Sequence, residues 1–397
     1  MSIVYVIGTL DTKEAELRYA VERVRAAGAK AVLVDISTTP STASADVGAA
    51  TVARHHPNGA DAVLGHSDRG RAVTAMSEAL TAFLTSRQNI GAVLGLGGGG
   101  NTSMVTAAMR ALPIGTPKLM VSTMASGNVA AYVGPTDIAM MHAVADIAGL
   151  NAITRKVIGN AAHAAAGMAL NAIPEAKDGR PAVGLTMFGV TTTCIAQIRH
   201  QLDESCECFV FHATGTGGQC MEKLVDSGLI TGLLDITTTE VADHLCGGVL
   251  ACTDDRFGAV IRRRIPYVGS VGALDMVNFG GLDTVPAPFR NRKLHVHNAQ
   301  VTLMRTTPGE NRAVGRWIVE RLNRMEGPVR FLLPLGGVSA LDAAGKPFHD
   351  PEADGALFDA IRSGWQAAPH RQLIEVDAHI SDPAFAETAV KAFRDIF

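Results

Sequence analysis

The sequence has little net charge. Its 35 Lys and Arg stand against 38 Asp and Glu over 397 residues, a formal balance of −3. Such a balance offers no field for a phosphate backbone, so a general nucleic-acid binder is not expected. Uninterrupted apolar runs of the ~18 residues that span a bilayer are missing, so no membrane segment is expected. Met1 to Thr9 lacks the basic start of a signal peptide and enters an apolar strand at once, which points to a cytoplasmic chain. Cysteine is limited to Cys194, Cys206, Cys208, Cys220, Cys246 and Cys252, with no paired CxxC knuckles. Reduced, buried thiols are the expectation, with Cys206-x-Cys208 as a metal contact the alternative. Aromatic residues make up only 5%, but 47% of the chain is hydrophobic, which excludes disorder.

Glycine is the residue in excess, at 41 copies with no period of three, so collagen is excluded. The glycines that inform fall at strand ends. Ile3 to Ile7 is a β-branched run closed by Gly8; a helix over Lys13 to Ala27 and a strand over Ala31 to Ile36 are expected next. This βαβ start implies a parallel sheet. Residues 37 to 60 read as loop. Helices are expected over Arg71 to Ser86, Ser103 to Leu112, Ala139 to Ala148 and Asn151 to Ala169, and strands over Ala92 to Leu96 and Lys118 to Thr123. Pro174 to Pro181 is polar and bracketed by prolines, a linker candidate. The pattern then restarts with strands at Ala182 to Met187, Cys208 to Ala213 and Leu233 to Thr237. The expected architecture is α/β: two Rossmann-like domains with mainly parallel sheets, 1–175 and 182–397, and a cleft between them.

The segment Gly95-Leu96-Gly97-Gly98-Gly99-Gly100-Asn101-Thr102 lies between a strand and a helix, where a phosphate loop must sit. Glycine lets backbone N–H groups approach an anion, and the helix points its positive end at the same place. The segment has neither the GK[ST] of a Walker A loop nor a full G-x-G-x-x-G fingerprint. Anion or nucleotide-phosphate binding is one reading; a tight turn required only by packing is the other. Gly8 to Lys13 follows the first strand. There Asp11 either holds a metal or ribose hydroxyl or caps the helix, and Lys13 is a candidate phosphate contact. Ser122 to Asn128 is a third such loop, and ligands of open α/β sheets sit beyond the carboxyl ends of strands.

The second half has its own set. His212 to Gln219 is another glycine loop from strand to helix. Glu240 opens a helix, either as a dipole-favoured acid or as a general base or metal ligand. His295 and His297 flank Val296 in extended chain, so two-residue alternation puts both on one face. That face serves acid–base or metal chemistry, or plain solvent contact. Arg305, near Thr306, Thr307 and Glu310, suits a carboxylate or phosphate.

Taken together, Gly8 to Glu14, Gly95 to Thr102, Pro113 to Lys118 with Val121 to Gly127, and Tyr132-Val133-Gly134 with Asp137 resemble one family. So do His212 to Gly215 and His295 to Asn298 leading to Met304-Arg305-Thr306-Thr307. It is the bacterial, fungal and plant family that shares the ATP-binding domain of the tomato mosaic virus resistance protein. The resemblance covers nearly the whole chain. It implies two Rossmann-like subdomains, a homodimer and ATP binding, with Mg²⁺ expected beside the phosphates. Nucleotide contacts are implied at Gly97, Gly98, Gly99, Gly100, Asn101 and Thr102, and also at Asp11, Thr12 and Ser126. In plant and fungal members a barrel-type domain related to phosphoenolpyruvate-utilising enzymes follows, and none is expected within these residues. No reaction is implied for bacterial members. The expected function is an ATP-binding enzyme acting on a small anionic metabolite in the interdomain cleft, with His212, Glu240, His295, His297 and Arg305 as catalytic candidates. A nucleotide-sensing dimer without turnover, and an isomerase or lyase of a sugar acid or sugar phosphate, are the alternatives. Scarce aromatics leave aliphatic walls to hold the adenine.

Overall fold

The computed structural model describes residues 2–39, 43–65, 68–174 and 179–397. The chain divides into two compact units, residues 1–176 and 177–397. Residues 175–178 of the expected linker and 40–42 of the expected loop lie outside the described residues.

The first unit opens with β1 (Ile3–Gly8), α1 (Leu10–Ala26) and β2 (Lys30–Asp35). Short helices α2 (Ala49–Ala53) and α3 (Asp61–Leu64) lead to α4 (Arg69–Thr85), β3 (Ile90–Gly97) and α5 (Gly99–Ala111). Then come β4 (Lys118–Ser122), α6 (Ala130–Val133), β5 (Ala139–His142) and α7 (Ala152–Leu170). The five strands form one parallel sheet in the order β2-β1-β3-β4-β5. Alternation along β1 sorts its side chains between the two faces. Val4 and Val6 meet Leu17, Ala20 and Val24 of α1 and Ile158, Ala161 and Ala165 of α7. Tyr5 and Ile7 meet Met76, Leu80 and Phe83 of α4 and Met104 and Val105 of α5. Each large side chain so buried contributes about 1.5–3 kcal/mol.

Two expectations are corrected here. Ala139–His142 is a strand, not the start of a helix. It has no β-branched residue, and its pairing with β4 at the sheet edge overrides its local preference. Residues 49–53, inside the expected loop of 37 to 60, are helical; α2 packs on α4, where Val52 is fully buried.

The second unit contains β6 (Ala182–Met187), α8 (Thr192–Leu202), β7 (Glu207–His212), α9 (Gly215–Asp226), β8 (Gly232–Thr237) and α10 (Glu240–Cys246). Next are α11 (Gly258–Arg263), β9 (Tyr267–Gly272), β10 (Met276–Phe279), β11 (Leu294–Asn298) and β12 (Val301–Arg305). The unit ends with α12 (Pro308–Leu322), β13 (Val329–Pro334), α13 (Pro351–Gly364), β14 (Arg371–Val376) and α14 (Pro383–Arg394). Its parallel sheet has the order β14-β13-β9-β8-β6-β7, and β10-β12-β11 forms a small antiparallel sheet beside it. All six cysteines are free, and burial pushes the Cys194 and Cys252 thiols up to about 12. Among the described residues no helix is long and apolar enough to cross a membrane.

Candidate functional site

In each parallel sheet the chain reverses its direction of travel once, between β1 and β3 in the first unit and between β6 and β8 in the second. Ligands of open α/β sheets bind beyond the strand ends at such a point. The two points differ. In the second unit hydroxyls fill the strand ends. Thr186 Oγ1 donates to Asp235 at 2.8 Å, Thr191 and Thr237 share a hydroxyl contact of 2.8 Å, and Thr191, Thr237, Thr238 and Thr239 are fully buried. In the first unit a pocket of about 520 Å³ lies at the strand ends.

One wall of this pocket is Thr9, Asp11, Thr12 and Lys13 at the start of α1; the other is Gly98 to Asn101 at the start of α5. Arg69, Ala72 and Val73 of α4, Met104 of α5, and Thr38 and Thr39 after β2 complete it. Asn101 joins the two walls: its Nδ2 donates to Thr9 Oγ1 at 3.0 Å and to Leu96 O at 3.3 Å. The Asn101 side chain is buried, yet its Oδ1 accepts no hydrogen bond among the described residues.

The two helix starts are electrostatically unlike. At α1 the N–H groups of Leu10 and Asp11 already donate to Asp35 Oδ1 at 3.0 Å and Ser37 Oγ at 3.1 Å. Asp11 therefore does not cap its own helix; its carboxylate accepts from Thr39 Oγ1. Lys13 sits at a kink in α1 and donates from Nζ to Ile147 O at 2.5 Å. At α5 the N-cap is Gly98, and no side chain caps the helix. The N–H groups of Gly99, Gly100 and Asn101 thus have no intrahelical partner, and the positive end of the helix faces the pocket.

Glycine packing separates the two readings of this turn. Gly97 has φ +157, and a Cβ there would lie 2.4 Å from Asn101 Cβ, so packing demands it. Gly98, Gly99 and Gly100 are different. A Cβ on Gly98 would come no nearer than 3.7 Å to another residue, one on Gly99 no nearer than 3.9 Å, and one on Gly100 would meet nothing within 4 Å. All three line the pocket. The glycine loop of the second unit is the reverse case. A Cβ on Gly215 would lie 1.8 Å from Ala251 O and one on Gly217 1.9 Å from His212 O, and Thr214 Oγ1 caps α9 by accepting from Gly217 N. Packing accounts for that loop.

Of the residues expected to contact nucleotide, Asp11, Thr12, Gly98, Gly99, Gly100 and Asn101 line the pocket. Gly97 and Thr102 hold its frame instead: the buried Thr102 hydroxyl donates to Gly98 O at 2.8 Å and meets Ser122 Oγ at 2.6 Å. Ser126 is exposed in the turn after β4, outside the lining. Arg69 was not anticipated, since a lone arginine beside a polar loop carries no sequence signal.

The second-unit candidates fall into separate surroundings. Glu240 is fully buried and accepts from Arg256 Nε at 2.9 Å. The same guanidinium donates to Asp235 at 2.8 Å and Glu222 at 3.1 Å, and Tyr267 donates to Asp235 at 3.0 Å. Burial pushes Glu240 up to about 7 against the pull of Arg256. Arg305 belongs to another buried network. It donates to Asp354 at 2.7 Å, Phe348 O at 2.7 Å and Thr306 Oγ1 at 2.9 Å, with Asp342 at 3.8 Å. Asp275 in the same network is raised to about 7 by burial and then by Asp342. Glu240 through Oε1 and Arg305 are thus held by internal partners, a physical reason against their expected part in one ligand-facing set, while the buried Glu240 Oε2 has no hydrogen-bond partner among the described residues. The extended chain that carries His295 and His297 is irregular. A bulge between Val296 and Asn298 leaves His297 unpaired, so the alternation is interrupted. His295 packs edge-on against Phe348, His297 is exposed, and the exposed His212 packs edge-on against Phe188. Among the described residues no cluster of His, Cys, Asp and Glu suits a metal ion.

Relatives align with this chain over nearly its whole length. A UPF0261 protein of Rhizobium meliloti (strain 1021) is 54% identical over 396 residues, covering 100% of this chain and 99% of that protein. Another from Clostridium tetani is 40% identical over 393 residues, with 98% and 97% covered. The ToMV resistance protein Tm-1(GCR237) of Solanum lycopersicum is 44% identical over 418 residues, which span 99% of this chain but 55% of the tomato protein. Residues 2–174 match the N-terminal domain, and residues 180–397 the C-terminal domain, of the uncharacterised protein family UPF0261. Both domains being matched in order along nearly the whole length, the chain belongs to the UPF0261 family.

Proposed function

We propose that the first domain binds a nucleotide, ATP with Mg²⁺, with its phosphates on the turn from Gly98 to Gly100. The observation that carries this reading is the open Cβ space at those three pocket-lining glycines. Neither packing nor backbone geometry requires glycine there, whereas close approach of an anion to bare N–H groups does. The uncapped start of α5 supplies those groups, and Lys13 adds positive charge. Asp11 is the carboxylate in the lining, and Mg²⁺ in nucleotide sites commonly takes one or two carboxylates together with phosphate oxygens. Ala72, Val73 and Met104 offer an aliphatic surface for the base. A homodimer, implied by the family resemblance, is part of the same proposal.

A second reading, nucleotide sensing without turnover, draws on a separate observation. Glu240 and Arg305, the strongest acid–base and anion-binding candidates of the second domain, are held in buried ion pairs. Calorimetric titration with Mg-ATP tests the shared core of both readings. Saturable heat at millimolar nucleotide or below supports it, and its absence, with no thermal stabilisation, refutes it.

A further inference from the structure

Resting on that nucleotide reading, we propose that Arg69 sets the preference for the number of phosphates. The sheet's two faces are covered by different helices: α1 and α7 on one, α4 and α5 on the other. Lys13 on α1 and Arg69 on α4 therefore flank the pocket from opposite faces, with the start of α5 in the same lining. Arg69 shares its helix face with Ala72 and Val73, three and four residues on, and all three line the pocket. Three other arginines of this domain are engaged: Arg18 pairs with Glu14, Arg25 with Asp46, and Arg110 donates to Ala131 O and Tyr132 O. Arg69 is exposed and has no hydrogen-bond or ion-pair partner for its guanidinium among the described residues.

The charges fix what such a ligand carries. A single phosphate uses the N–H groups at the start of α5, where the dipole amounts to roughly half a charge. Beyond it stand a full cation on each face, against the one carboxylate of Asp11. A guanidinium is the side chain suited to further phosphate oxygens, which it takes two at a time. Asn101 lines the same pocket, and its Oδ1 has no hydrogen-bond donor among the described residues, an acceptor for a donor group of the ligand or a water on its metal ion.

The test is titration of AMP, ADP and ATP, each with Mg²⁺, into the unaltered chain and into Arg69→Ala and Arg69→Lys. The unaltered chain is expected to bind ATP more tightly than AMP. Arg69→Ala should weaken ATP by about tenfold or more while leaving AMP unchanged, and Arg69→Lys should recover part of the loss. An equal loss for all three nucleotides, or no loss for any, overturns the inference while leaving nucleotide binding intact. Failure of the unaltered chain to bind any of the three refutes the nucleotide reading itself, and this inference with it.

Discussion

Asn101 Nδ2 donates to Thr9 Oγ1 at 3.0 Å, tying the turn after β3 to the turn after β1. Thr9 in turn meets Thr12 Oγ1 at 2.9 Å. One side chain thus spaces the two walls of the pocket at the point where strand order reverses. Asn101→Ala removes this tie and takes a donor from Leu96 O, a loss of about 1–2 kcal/mol. Melting temperature and Mg-ATP affinity should both fall; if both hold, the tie has no such role.

Neighbouring glycines should respond in opposite ways. Gly98→Val adds a Cβ that comes no nearer than 3.7 Å to a residue beyond its chain neighbours. It should fold with a near-normal melting temperature and lose nucleotide. Gly97→Val puts a branched side chain 2.4 Å from Asn101 Cβ and should lower the melting temperature sharply. Equal melting temperatures for the two variants would refute this division of labour.

Arg256 is the shared hydrogen-bond donor and ion-pair partner of three buried acids: Glu222, Asp235 and Glu240. Arg256→Met leaves these acids in the core of the second domain without their shared cation and should cost about 3–5 kcal/mol in urea unfolding. A loss under ~1 kcal/mol would mean that the three acids take up protons at little cost.

Asp275 provides a pH test. Its pKa rises from 3.8 to about 7 on folding, so between those values the folded chain holds a proton that the unfolded chain has released. This group's contribution to stability is therefore full below about pH 4 and lost as pH rises through about 7. Asp275→Asn, which cannot ionise, should gain stability over the parent above pH 7 and show no such gain at pH 4. Parallel stability curves for the two chains contradict the burial of this acid.

Much of this was legible in the sequence, and for a physical reason. Parallel strands buried on both faces read as apolar runs, and Gly8, Gly97 and the helix starts punctuate them. The glycine turn before α5 could be located from Gly97 to Gly100 alone. Its two roles could not be separated, because only three-dimensional neighbours tell Gly97, which packing requires, from Gly98, which it does not. The ion pairs of Glu240 with Arg256 and of Arg305 with Asp354 were invisible for the same reason: their partners lie 16 and 49 residues away. The bulge between Val296 and Asn298 could not be read from alternation. Pro113, Thr116, Lys118 and Asp137, prominent in the family resemblance, have a structural task. Buried Lys118 donates to Pro113 O and Thr116 O at 2.8 Å and to Asp137 at 2.6 Å.

The most direct measurement is a crystal structure of the chain grown with Mg²⁺ and a non-hydrolysable ATP analogue. The expected result is phosphate density within hydrogen-bond distance of the N–H groups of Gly99 and Gly100, with the base against Ala72, Val73 and Met104. Density for the nucleotide elsewhere, or an ordered Gly98–Gly100 turn with no nucleotide at saturating concentration, would contradict the proposed site.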